Sequence, residues 1–132
     1  MSRLALIALA LFLLPALPAM GESQPQPPAA GQVAVPEDAE LRMARVEFDH
    51  VPHSDLDCTQ CHHTWDGMSE IKGCSDSGCH SDMVAKKGEG SFYAAFHERT
   101  SQISCLGCHN DRSQTDKKHG PVKCMECHVK NG

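Results

Sequence analysis

Four short runs of this chain place cysteine and histidine where they could bind one prosthetic group each. They read Cys58-Thr59-Gln60-Cys61-His62, Cys74-Ser75-Asp76-Ser77-Gly78-Cys79-His80, Cys105-Leu106-Gly107-Cys108-His109 and Cys124-Met125-Glu126-Cys127-His128. All eight cysteines are used, and a histidine follows every second one. Cys-X-X-Cys-His is the attachment site of a c-type haem. Two thiols add across the vinyl groups, and the adjacent imidazole falls beneath the macrocycle and binds iron. Eight cysteines could instead form a disulfide framework, and paired Cys-X-X-Cys units could hold zinc. Neither needs a histidine in register after each pair. With 9 histidines in 132 residues, composition alone gives four such hits odds of roughly 2 in 100,000. The second motif has four residues between its cysteines. Ser75, Ser77 and Gly78 are small or flexible, and Gly78 can take positive φ, so this loop can bulge and still bring both sulfurs to a ring edge.

The proximal ligands His62, His80, His109 and His128 leave His50, His53, His63, His97 and His119. Each iron needs a sixth ligand, and no other side chain is so well supplied. Met43, Met68, Met83 and Met125 are the rivals, but they read better as soft fillers against porphyrin faces. His63 projects away from its neighbour His62 and should reach a different iron. One iron has a single free axial position, so His50 and His53 should serve two haems. His97 ends Ser91-Phe92-Tyr93-Ala94-Ala95-Phe96-His97. This stretch predicts a short helix, with Ser91 as N-cap and Tyr93 and His97 on one face. His119, in the polar turn Lys117-Lys118-His119-Gly120-Pro121, is the spare. Two imidazoles per iron leave no open position and suit outer-sphere electron transfer, at lower potential than Met/His ligation.

These residues need elements to hold them, and the chain offers few. Arg42 to Phe48 alternates in places and admits a short strand or β-hairpin arm near the N-terminus. Each attachment motif should start or end a helical turn. Asn110 to Val122 reads as a polar loop. The fold class expected is mainly α with much irregular coil, a small multihaem cytochrome in which four covalent haems replace a hydrophobic core. Past residue 21 there are one Trp, one Tyr and three Phe, thin for a domain of this size. The haem-free chain is therefore expected to be largely unfolded.

Residues 1–21 read as a secretory signal peptide. Arg3 supplies the positive region, Leu4 to Leu14 is apolar but too short for a membrane span, and cleavage would follow Ala19 or Gly21. Residues 22–36 are rich in Pro, Gln and Ala and read as a flexible arm. Residues 37–132 would be one tetrahaem domain. The expected location is the periplasm, with no integral membrane segment in the mature chain.

The chain resembles the tetrahaem cytochrome c3 (class III cytochrome c) family of sulfate-respiring bacteria. Val46-Glu47-Phe48-Asp49-His50, then His53, then Cys58 to His63 with its double histidine, and the long spacer of Cys74–Cys79 carry the likeness, over about Val46 to Cys127. The resemblance implies distal ligands His50 for haem 1, His63 for haem 2, His53 for haem 3 and His97 for haem 4. It leaves His119 free. Two features depart from the commonest members. The fourth motif is short, and the chain is acidic. Losing Arg3 leaves 11 basic against 17 acidic side chains, a net charge of −6. The chain thus resembles the acidic type II branch. That implies a low-potential carrier between hydrogenase, or a type I cytochrome c3, and a membrane-bound cytochrome complex in sulfate respiration.

Charge is also uneven along the chain. Residues 37–70 hold nine acidic and two basic side chains, whereas residues 112–132 hold five basic and two acidic ones. Lys117, Lys118, Lys123 and Lys130 flank the fourth motif and are candidate partner-docking residues, against the reading of a merely solvated surface. Nucleic acid is not an expected partner. The competing function is a small multihaem reductase of nitrite, sulfur or metal ions. It would require an iron with an exchangeable site, whereas the histidines suffice for all four irons. A tethered subunit of a membrane complex is a third reading.

Overall fold

The computed structural model describes residues 25–130. The expected signal peptide lies outside the described residues. Strand β1 (Gly31–Gln32) and strand β2 (Glu47–Phe48) pair antiparallel, with Gly31 opposite Phe48 and Gln32 opposite Glu47. Val33 N–H donates to Val46 O at 2.9 Å and extends the pairing. The two strands are joined through residues 33–46, not by a tight hairpin turn. β1 lies inside the span read as an arm, and the Ser75 hydroxyl binds Ala34 O at 2.8 Å, so this stretch meets both the first strand partner and the second attachment motif.

Beyond β2 the chain advances through side-chain-anchored turns. Asp49 accepts the Val51 N–H at 2.9 Å, and Val51–His53 forms a 3-10 turn in which Pro52 fits because its missing N–H is not needed. A second 3-10 turn, Cys58–Gln60, opens the first motif and is capped by Asp57, whose carboxylate accepts the Thr59 N–H at 2.8 Å. Asp66 then accepts the N–H groups of Met68 (2.9 Å) and Ser69 (2.7 Å). The second motif has no helix. Gly78 at φ +84° makes its bulge, and His80 N–H closes the loop on Cys74 O at 2.9 Å. The positive φ anticipated for Gly78 is what allows the longer spacer.

The second half is more regular. Helix α1 (Phe92–His97) starts at Ser91, whose side chain accepts the Ala94 N–H at 3.0 Å. Helix α2 (Cys105–Ser113) starts at the third motif and is capped by Ser104, which accepts the Gly107 N–H at 3.0 Å. Helix α3 (Cys124–Cys127) carries the fourth motif, with Glu126 reaching back to the Lys123 N–H at 3.3 Å. The expectation of a polar loop over 110–122 needs correcting, because Asn110 to Ser113 continue α2. Ser104 nucleates the helix, and no Gly or Pro interrupts it before Gln114.

The fold is coarser than the expected mainly-α class: three helices of 6, 9 and 4 residues, a two-stranded sheet, and much coil. Among the described residues no apolar side chain is buried. The buried positions are Ser91, Ser104 and Gly107. Ser104 and Gly107 lock α1 to α2: the Ser104 hydroxyl donates to Glu98 O at 2.6 Å, and a Cβ at Gly107 would overlap the Glu98 and Ser101 carbonyls. Val84 and Met68 are more than four-fifths exposed. Polypeptide packing alone does not account for a domain held this way.

Candidate functional site

The strands and turns place the histidines in opposed pairs. His63 and His80 have ring centroids 5.8 Å apart, His53 and His109 6.2 Å, and His97 and His128 6.0 Å. Each pair joins one histidine of an attachment motif to one outside the motifs. No hydrogen bond joins the two rings of any pair among the described residues. The separations match two imidazoles sharing one metal: bonds of about 2 Å on each side, plus about 1 Å from each nitrogen to its ring centre, give about 6 Å. No facing pair of this kind joins His50 and His62 among the described residues. Phe48 of β2 lies edge-on to His50 at 4.9 Å and beside His53 at 4.8 Å, and so holds the two apart. His119 stands apart, exposed, with its Nδ1 donating to Gly120 O at 2.8 Å.

Backbone carbonyls orient the rings. Nδ1–H donates from His62 to Lys72 O (3.0 Å), from His53 to Asp49 O (2.9 Å), from His109 to Pro121 O (2.9 Å), from His97 to Tyr93 O (3.1 Å) and from His128 to Ala44 O (2.7 Å). Each bond fixes the tautomer that leaves the Nε2 lone pair for a metal. His50 and His80 instead have buried Nδ1 atoms with no hydrogen-bond partner. A buried polar atom left unpaired is costly, and metal ligation at the other nitrogen gives these two rings a reason to be inside.

His97 carries a further layer. The Tyr93 ring stacks on it at 4.6 Å and 13°, and Lys86 Nζ sits 4.7 Å from the Tyr93 centroid. Burial lowers the pKa of His97 below the ordinary histidine value, and the neighbouring His128 and Lys86 push the same way against the Tyr93 hydrogen bond. The neutral, metal-binding form is thereby favoured.

The cysteines are all free of disulfides. Burial raises the thiol pKa of Cys61, Cys74 and Cys127, and that of Cys105 to about 11, with neighbouring cysteines adding to the effect. These four groups are neutral thiols at pH 7. Among the described residues, no group of three or more His, Cys, Asp or Glu side chains is placed to hold a metal ion. A cavity of about 910 Å³ runs between the first two motifs and α1, lined by Cys74, Cys79, His63, His80, Ala94 and Ala95 among others. That is within the size range of cofactor pockets. The residues present fit a haem at each motif: paired thiols, a carbonyl-anchored or buried imidazole, and an opposed second imidazole for three of the four.

Several supporting residues carry no motif signal. The carbonyls of Lys72, Pro121 and Ala44 act through backbone atoms, and Ala44 meets His128 from 84 positions away. Gly120 was legible only as a turn residue. A Cβ there would overlap the His109 ring, so this glycine forms the floor on which the imidazole rests. The candidate docking lysines Lys117, Lys118, Lys123 and Lys130 are exposed, and Lys123 forms an ion pair with Glu126 at 3.5 Å.

Together these features define a multihaem c-type cytochrome. The comparisons with known proteins are narrower. The family model of the Class III cytochrome C family matches residues 28–128. A cytochrome c3 from Desulfovibrio desulfuricans is 48% identical over 104 residues, which is 79% of this chain and 97% of the relative. One from Maridesulfovibrio salexigens is 47% identical over 106 residues, covering 78% and 95%. Among solved structures, the di-tetraheme cytochrome c3 from Desulfovibrio gigas superposes with a TM-score of 0.69 at 35% identity, covering 78% of this chain and 97% of that one. The chain belongs to the class III cytochrome c family. It is a multihaem electron-transfer protein whose eight cysteines fit four c-type haems. Among the described residues no helix is long and apolar enough to cross a membrane.

Proposed function

We propose that this protein is a periplasmic, low-potential electron carrier, accepting electrons from hydrogenase or a type I cytochrome c3 and passing them to a membrane-bound cytochrome complex in sulfate respiration. The opposed imidazole pairs carry the reading. In the proposed ligand set His62 and His50 serve haem 1, His80 and His63 haem 2, His109 and His53 haem 3, and His128 and His97 haem 4. Haem supplies a one-electron Fe³⁺/Fe²⁺ couple. The chain's own part is to fill both axial positions, so that no substrate reaches the metal, and to crowd four sites into one small domain. Six-coordinate, bis-imidazole sites favour a carrier over a reductase.

Residues 1–21 would be the export signal, cleaved after Ala19 or Gly21, with residues 22–36 as an arm that pairs with the domain at Gly31–Gln32, and 37–132 as the cytochrome domain. The acidic stretch 37–70 would meet a basic cytochrome. The rim of Lys117, Lys118, Lys123 and Lys130 would present haem 4 to an acidic partner.

A reduced-minus-oxidised spectrum with intact mass and a carbon monoxide titration tests the reading. The expected result is four covalent haems on a mature chain beginning at Met20 or Glu22, all low-spin, with no carbon monoxide adduct. A high-spin iron or a carbon monoxide complex in the resting protein would favour the reductase. Electron-transfer rates that do not fall as salt rises would remove the docking assignment.

A further inference from the structure

The connection after α2 folds back along that helix as a strap. The chain turns at Asp116, a non-glycine residue at φ +53°, and returns past Lys118, Gly120 and Pro121. Two bonds tie the strap down. His109 Nδ1–H donates to Pro121 O at 2.9 Å, and Arg112 Nε–H donates to Lys118 O at 2.9 Å. His109 and Arg112 are three apart on α2 and therefore neighbours on its surface. Gly120 lies between the two tied carbonyls, against the His109 ring. Arg112 is half-buried, and among the described residues the one ion pair is Lys123–Glu126. Its guanidinium is thus turned to a backbone carbonyl and not to a carboxylate.

We infer that Arg112 is a positioning residue for haem 3, clamping the strap so that the Pro121 carbonyl stays on His109 Nδ1. The inference rests on the proposed ligation by His109. An Nδ1–H held by a carbonyl makes the imidazole a more basic ligand and favours the ferric state. A loosened strap weakens that bond and raises the haem 3 potential. Losing the arginine charge alone acts in the opposite sense, since removing a nearby cation favours ferric iron and lowers the potential. The sign of the shift therefore separates the clamp from simple electrostatics.

The experiment uses the haem-loaded full chain and resolves each haem through a redox titration followed by NMR. Arg112→Ala should raise the haem 3 potential relative to the other three, by on the order of tenfold in its reduction equilibrium, about 59 mV for one electron. Arg112→Lys keeps a charged donor and should recover part of the shift. Gly120→Ala changes no charge but pushes a methyl group into the His109 ring, and should move haem 3 in the same direction as Arg112→Ala. A haem 3 potential that falls or stays put in Arg112→Ala, while Gly120→Ala raises it, overturns the clamp. A wild-type spectrum without two histidine ligands at haem 3 would instead sink the ligand set itself, a result distinct from an unresponsive Arg112.

Discussion

The two halves of this molecule solve one problem with different means. In residues 91–128 the third and fourth motifs open helices, with serine caps at α1 and α2. The three proposed ligands in this half, His97, His109 and His128, all donate Nδ1–H to backbone carbonyls, and the fourth ligand proposed for haems 3 and 4, His53, lies in the other half and donates to Asp49 O. In residues 47–80 the first motif is a 3-10 turn and the second a glycine bulge. Carboxylates hold the turns, and of the four histidines proposed for haems 1 and 2 only His62 has a carbonyl anchor. His50 and His80 keep buried Nδ1 atoms unpaired. Attachment chemistry fixes only the two sulfurs and one imidazole, so the surrounding backbone is free to differ. The difference should appear in how firmly, and at what potential, each half holds its irons.

The largest expected effect is on coordination in the regular half. His97→Ala removes the ring 6.0 Å from His128, and under the proposed ligand set it should leave one iron five-coordinate. A high-spin band and carbon monoxide binding to about one haem in four should result. His119→Ala should leave the spin state unchanged, because the proposed ligand set fills all four irons without His119. High-spin iron in His119→Ala would break the ligand set and, with it, the contrast between the halves.

Next is the order of reduction. Carbonyl anchoring raises ligand basicity and stabilises Fe³⁺. Both histidines proposed for haem 3 and both proposed for haem 4 are anchored, one of the two proposed for haem 1 is, and neither proposed for haem 2 is, among the described hydrogen bonds. If anchoring dominates, haem 2 takes the first electron and haems 3 and 4 the last, with separations on the order of 60 mV, a tenfold bias. NMR of partly reduced samples gives the sequence directly. A first electron on haem 3 or 4 would mean that solvent exposure or the neighbouring charges outweigh the anchors.

Legibility in the sequence followed the same divide between side chains and backbone. The four attachment sites, the Ser91 cap, the Tyr93–His97 face and the positive φ of Gly78 were readable, because each depends on a residue type at a short spacing. The carbonyls of Lys72, Pro121 and Ala44 were not, since any residue can offer one and only the tertiary fold selects it. Gly31–Gln32 could not be seen as a strand in a stretch whose composition suggests an arm, because its pairing is with residues far along the chain. Asn110 to Ser113 looked like loop because they are polar, yet helix continuation there needed only a cap and the lack of a breaker. Gly120 shows the same limit: its place in a turn was evident, its contact with His109 was not.

A smaller effect concerns the joint between α1 and α2. Ser104 caps α2 and donates to Glu98 O at 2.6 Å from a buried position. Ser104→Ala should cost about 1 kcal/mol, within the usual range for a lost N-cap. The loss should be the same at every pH where the rest of the domain is intact, because the hydroxyl does not titrate. Thermal melts of the holoprotein measure it. A loss that varied strongly between pH 4 and 8 would show that the cap is coupled to titrating groups beyond α1 and α2.

The smallest effect is its counterpart in the irregular half. Asp66 accepts hydrogen bonds from Met68 N–H, Ser69 N–H and the Ser69 hydroxyl, and these lower its pKa to about 2. A carboxyl group whose folded pKa lies below its unfolded value stabilises the fold fully above the unfolded value near 3.8. That stabilisation disappears as pH falls towards about 2. Asp66→Asn keeps an acceptor but not the charge, so its melting temperature should lie slightly below wild type at pH 6 and converge with it in acid. The group is exposed, so the gap is small, and salt should narrow it further. Convergence for Asp66→Asn together with a constant offset for Ser104→Ala would make the contrast between the halves chemical: acid loosens turns held by carboxylates and leaves helices held by hydroxyls alone. A constant offset for Asp66→Asn down to pH 2 would remove the ionised carboxylate as the cause and leave only the geometry of the turn.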